Sequence, residues 1–80
     1  MPSTVIRRFA YRADVAALDI EFVTGRVYRY VSVPAEVAAE LAGVRSKGGY
    51  FNRAIRDRFA CRRLRGWEPP DEPVPEPVSA

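Results

Sequence analysis

Eight of the thirteen basic residues of this 80-residue chain fall between Arg45 and Arg65, where Asp57 is the lone acid. The stretch reads R-S-K-G-G-Y-F-N-R-A-I-R-D-R-F-A-C-R-R-L-R. Its candidate binding residues are Lys47, Arg53, Arg56, Arg62 and Arg63. The guanidinium offers a planar fork of donors that suits phosphate oxygens and stacks on flat rings. Cations spaced this way can track a phosphate backbone; a plain solvated face is the competing reading. Ser46-Lys47-Gly48-Gly49 can present free N–H groups and a lysine to an anion, or can simply be a capped turn between helices. It is not a P-loop, because the G-x-x-x-x-G-K-[S/T] run is missing.

Catalytic chemistry finds little to work with. The chain has no histidine, hence no ready general base near neutral pH and no imidazole ligand. Cys61 sits among Arg58, Arg62 and Arg63, which favour its thiolate, but no partner base stands nearby in sequence. Asp19 and Glu21 are expected on the exposed face of a strand, at least one with a charge partner, so they do not read as a catalytic pair. No enzyme activity, cofactor or metal is expected.

Composition narrows the class of partner. Residues 1–65 hold thirteen bases against six acids, and twelve of the bases are arginine. From residue 66 onward there are four acids and no base. A basic body of this kind suits an anionic partner, although an arginine bias that keeps a small domain soluble would look the same. The single cysteine excludes an internal disulfide and fits a reducing compartment. Neither a signal peptide nor a membrane span is visible, so a cytoplasmic setting is expected. The sequence carries no signal for oligomeric state.

The elements that would position the basic stretch can be read from periodicity. Residues 5–11 form a first strand with mixed faces, and 12–16 a connection turning at Asp14. In 17–22 the apolar Leu18, Ile20 and Phe22 alternate with Asp19 and Glu21, as on a half-buried strand. Residues 26–31 form the next strand. A two-residue loop at Thr24-Gly25 would set Ile20 opposite Arg29. A three-residue loop, Val23-Thr24-Gly25, places glycine in the left-handed position and pairs Ile20 with Tyr28, Leu18 with Tyr30, and Asp19 with Arg29. The second register gives one apolar face and one opposite-charge pair, and is preferred. Tyr28 and Tyr30 then face the core and are not an open stacking platform; Tyr50 and Trp67 are the better stacking candidates.

Pro34 suits the first helical position, with Ser32 or Val33 as the cap, of a helix that buries Val37, Ala38 and Leu41 and ends at Gly43. Ser46 caps a second helix whose stripe is Phe51, Ile55 and Phe59, with Asn52, Arg53, Arg56 and Asp57 outward. On that helix Arg58 must snorkel or lie past the end. The expected fold is α+β: a small three-stranded antiparallel sheet with two helices on one face, in the order β-β-β-α-α. Residues 1–65 form the domain, and residues 66–80 an acidic proline-rich tail expected to be disordered.

The chain resembles the KTSC domain family, named for the C-terminus of some lysyl-tRNA synthetases. The matching residues are Ala10-Tyr11, Leu18-x-x-x-Phe22-x-x-Gly25, Tyr28-Arg29-Tyr30, Val33-Pro34, and Ser46-Lys47-Gly48-x-Tyr50-Phe51-Asn52-x-x-Ile55-Arg56. The similarity spans roughly residues 3–59, and the tail lies outside it. The family includes stand-alone bacterial proteins, which this chain looks like, and the synthetase context implies RNA binding. The leading expectation is a nucleic-acid-binding module, for RNA before DNA, gripping the phosphate backbone through the five cations named above. The alternative is a protein-interaction module whose basic face docks an acidic protein surface.

Overall fold

The computed structural model describes residues 5–69. Three strands form a meander: β1 (Ile6–Arg12), β2 (Ala17–Phe22) and β3 (Val27–Tyr30). The β2–β3 register is the one set by side-chain pairing, with Leu18 opposite Tyr30, Asp19 opposite Arg29 and Ile20 opposite Tyr28. The Phe22 N–H donates to Arg26 O at 2.9 Å, which closes a loop of three residues. Gly25 holds φ +96°, a conformation that costs glycine little and other residues more.

Two helical pieces cover one face of this sheet. Helix α1 (Ala35–Gly43) begins one residue later than expected: Pro34, in extended conformation, is itself the cap, not Ser32 or Val33. Helix α2 (Lys47–Tyr50) is capped by Ser46, whose hydroxyl accepts from the Gly49 N–H at 3.1 Å. The chain then widens directly into a π-helical turn, Phe51–Ile55, closed by the Arg56 N–H donating to Phe51 O at 2.8 Å. The wider turn keeps Tyr50, Phe51 and Ile55 together in the core with Leu18, Ile20, Tyr30, Val33 and Leu41. Phe51 packs edge-on against both Phe22 and Tyr30, at ring separations of 5.2 and 5.7 Å.

The expected helix does not run on to Phe59, and the sheet has four strands rather than three. Helical winding stops after Ile55; Phe59 packs on the core from a turn, and Cys61–Leu64 forms β4. This strand pairs antiparallel with β3, giving the order β1-β2-β3-β4. The physical reason lies in β3. Without a neighbour its outer N–H and C=O groups would form a bare edge. Pairing with β4 satisfies them, and Leu64 comes opposite the buried Val27.

The opposite face of the sheet is covered as well. After β4 the chain turns back across it, and Trp67 and Glu68 meet side chains of β1 and β3. The start of the expected tail, residues 66–69, therefore lies against the domain. Residues 70–80, the rest of that tail, fall outside the described residues.

Candidate nucleic-acid interface

The structure sorts the cations into two groups by what they touch. The first group is built around Asp19. This carboxylate was expected on an exposed strand face, yet it is fully buried. The correction follows from cover that the strand pattern does not reveal: β1 and β3 flank it, and the 67–69 segment crosses above. Arg29 grips it with two bonds, Nε to Oδ1 at 2.8 Å and Nη2 to Oδ2 at 2.9 Å. Arg12 adds a third, Nε to Oδ2 at 2.8 Å. Burial alone would push the Asp19 carboxyl up, but the hydrogen bonds and charges of Arg29 and Arg12 together bring it below its ordinary value. The bond to Asp19 raises Arg29 in turn. Both guanidiniums reach beyond Asp19 to the returning segment. Arg29 Nη2 donates to Glu68 Oε1 at 2.8 Å, and Arg12 Nη2 to Glu68 O at 2.6 Å and Pro69 O at 3.3 Å. Arg8 pairs with Glu21 and lies 4.4 Å over the Trp67 ring.

The second group lies on the helical run and on β4. Arg53 and Arg56 are exposed, as their helical spacing requires. Arg53 rests 5.6 Å over the Tyr50 ring, and Arg56 bonds the Asn52 side chain at 3.4 Å. Tyr50 is itself buried and donates to Glu40 Oε1 at 2.7 Å, a bond that raises its pKa. Tyr30 is pushed up by burial and by Cys61 beside it, while Arg56 is near enough to pull the other way. The end of the π turn thus sits next to β4. On β4, Arg63 lies opposite Tyr28 and Arg62 opposite Arg29, so the two point to different faces of the sheet. Among the described residues no carboxylate pairs with Arg53, Arg56, Arg58, Arg62, Arg63 or Arg65.

The five candidate residues are therefore not one patch. Arg56 and Arg63 lie on the helical side near β3 and β4, Arg53 turns back over Tyr50 toward Gly49, and Arg62 looks out beside Arg29. Lys47 stands apart: its Nζ donates to Val44 O at 3.1 Å and Ala42 O at 3.4 Å, at the carbonyl end of α1. There it answers the partial negative charge of a helix C-terminus. The Ser46–Gly49 turn lines an open cavity of about 420 Å³ with Val5, Ile6 and Arg45. Each stacking candidate already holds a guanidinium over its ring, Arg8 over Trp67 and Arg53 over Tyr50. Sequence reasoning missed Arg12, whose only signal was its place at the end of a strand neighbouring Asp19. No helix of the described residues is long and apolar enough to cross a membrane.

A family model described as the KTSC domain matches residues 2–59. A lysine–tRNA ligase of Nostoc punctiforme is 39% identical over 61 residues, which are 76% of this chain and 11% of the ligase. An uncharacterized protein of Stutzerimonas stutzeri is 34% identical over 56 residues, 70% of this chain and 79% of that protein. The crystal structure of a KTSC domain protein from Yersinia pestis superposes with a TM-score of 0.74 at 30% identity, covering 80% of this chain and 90% of the other. The chain thus spans about a tenth of the ligases it matches, and most of the short relatives.

Proposed function

Because the chain belongs to the KTSC domain family, we propose that it is a non-catalytic RNA-binding module of the cytoplasm that holds the phosphate backbone with little sequence readout. One observation carries this reading. Arg53 and Arg56 on the helical run and Arg62, Arg63 and Arg65 on and after β4 have no carboxylate partner among the described residues, whereas Arg8, Arg12 and Arg29 are all paired. Eight of the thirteen bases fall between Arg45 and Arg65, and arginines left without carboxylate partners in one stretch are the electrostatic footprint of a polyanion site. Relatives named as ligases that join lysine to tRNA give RNA preference over DNA. Lys47 contributes less than its position suggested, since its ammonium is engaged by backbone carbonyls.

Binding through phosphates alone gives dissociation constants of roughly 10⁻⁴–10⁻⁶ M near physiological salt. The test is fluorescence anisotropy with unrelated single-stranded and duplex RNAs at two salt concentrations. The Arg53→Ala/Arg56→Ala variant keeps the fold, because both side chains are exposed. It weakens binding by a similar factor for every sequence and reduces the salt slope by about one to two. Unchanged affinity for all oligonucleotides would sink the reading and favour docking of an acidic protein surface instead.

A further inference from the structure

The Asp19 cluster does more than hold three strands together. Asp19 engages Nε of both arginines, which fixes both guanidinium planes. Arg29 Nη2, which also bonds Asp19, reaches on to the Glu68 carboxylate, and Arg12 Nη2 reaches the Glu68 backbone carbonyl, so both guanidiniums converge on one residue. The β1 and β3 arginines come from strands on either side of β2, so the pair spans the middle of the sheet. Arg62, opposite Arg29 on the same face, adds a third guanidinium without a carboxylate partner among the described residues. Two guanidiniums oriented by a buried carboxylate form a preorganised fork for an oxyanion. The occupant seen is weakly held: the Glu68 side chain is 54% exposed, and the strap is otherwise tied by the Arg12 bonds to the Glu68 and Pro69 carbonyls and by the Arg8–Trp67 stack.

We propose that the Arg12–Arg29 fork is an oxyanion site that the chain fills in cis with Glu68, and that a backbone phosphate of RNA takes its place when the Trp67–Pro69 strap lifts. The second half rests on the RNA-binding reading above; the first half does not. A carboxylate and a phosphate offer the same acceptors to a guanidinium, so the Glu68 carboxylate stands in for the ligand on Arg29, while the Glu68 and Pro69 carbonyls hold the place of its other oxygens on Arg12. The strap is covalently attached, and its effective concentration is roughly millimolar. An RNA phosphate reaching the fork must compete with that local carboxylate. The strap therefore sets a threshold, opening the sheet face only to a ligand already engaged by the β4 edge.

The experiment uses the full chain and its Glu68→Gln variant. Glu36→Gln is a charge control, removing one carboxylate from an exposed position on α1. The first arm titrates inorganic pyrophosphate and follows the arginine Nε–Hε signals by NMR. Expected is a saturable shift of the Arg12 and Arg29 signals, at lower pyrophosphate in Glu68→Gln than in the control. Signals that stay unmoved in Glu68→Gln overturn the oxyanion site, whatever RNA does. The second arm measures RNA affinity. An exposed ion pair closes the site by at most about fivefold, so Glu68→Gln tightens RNA up to about fivefold beyond the control. Equal affinities for the two variants, with the pyrophosphate shift intact, overturn the phosphate exchange while leaving the oxyanion site standing. Loss of RNA binding by every form of the protein refutes the function proposed above and leaves the first arm to decide the site on its own.

Discussion

Replacing Asp19 with Asn tests the centre of the sheet directly. The side chain keeps its shape, but a carboxylate that balanced two guanidiniums becomes a neutral amide. One of its ends then presents N–H donors to the donors of Arg12 or Arg29. Removing one partner of a buried ion pair typically costs about 3–5 kcal/mol, because the other is left uncompensated. Here the arginine side chains are 12% and 16% exposed, so water reaches the rim and the lower end of that range applies. A domain of this size has on the order of 4–12 kcal/mol in total. The variant therefore loses a quarter or more of its stability, seen as a fall in melting temperature of about 12 °C or more. The pH dependence gives an independent sign. Folded Asp19 has its pKa below the unfolded value of 3.8, so the unfolded chain takes up the proton first. Its contribution is fully present above that value and is lost as pH falls through the lower folded pKa. Urea titrations from pH 7 down to pH 2 measure both effects. The difference between wild type and Asp19→Asn is flat above about pH 5 and shrinks in acid. A variant within about 1 kcal/mol of wild type, or a difference that grows in acid, would refute the reasoning.

Other perturbations probe different elements. Gly49→Ala places a Cβ 2.9 Å from Ser46 Oγ, which must swing away and lose its cap; that loss of about 1 kcal/mol cancels the helical gain of alanine over glycine, so Ser46→Ala costs about 1 kcal/mol in wild type and little in the Gly49→Ala background, as a double-mutant denaturation series would register. Tyr28→Ala removes a half-buried ring that meets Phe22 edge-on at 6.2 Å, and loses up to about 3 kcal/mol; a native melting temperature would contradict the packing. Tyr50→Phe deletes the hydroxyl bonded to Glu40 and costs about 1 kcal/mol, a loss absent in a Glu40→Gln background if that bond is its source.

What the sequence disclosed, and what it concealed, follows from where each signal lies. The β2–β3 register was legible because a slip of one residue would have set Arg29 against Ile20, and the three-residue loop ended on a glycine that had to be left-handed. The Ser46 cap was legible because its partner is three residues away. Strand β4 was not. Cys-Arg-Arg-Leu has no β-branched or aromatic residue, and its four-residue length is too short for alternation to stand out against a run of arginines. Nor was the burial of Asp19. A carboxylate alternating with Leu18 and Ile20 looks like a solvent-facing residue, and the cover that makes it otherwise begins with Trp67, in a stretch whose prolines and acids read as unstructured. The five candidate cations were found by type, but their division between two faces of the sheet depends on β4 and could not be foreseen without it.

The fourth strand also changes what counts as a transplantable unit. The family model ends at residue 59, two residues short of the start of β4. A fragment cut at that boundary would keep the two helical pieces and the three-stranded meander. It would lose the Val31 N–H bond to Ala60 O and the whole pairing from Val27–Leu64 to Tyr30–Cys61. The outer rim of β3 would become an open template for other chains, and the Arg12–Asp19–Arg29 cluster would be uncovered in the same cut. A graft of this domain onto another protein should therefore extend through Pro69, with the fusion joint placed beyond it.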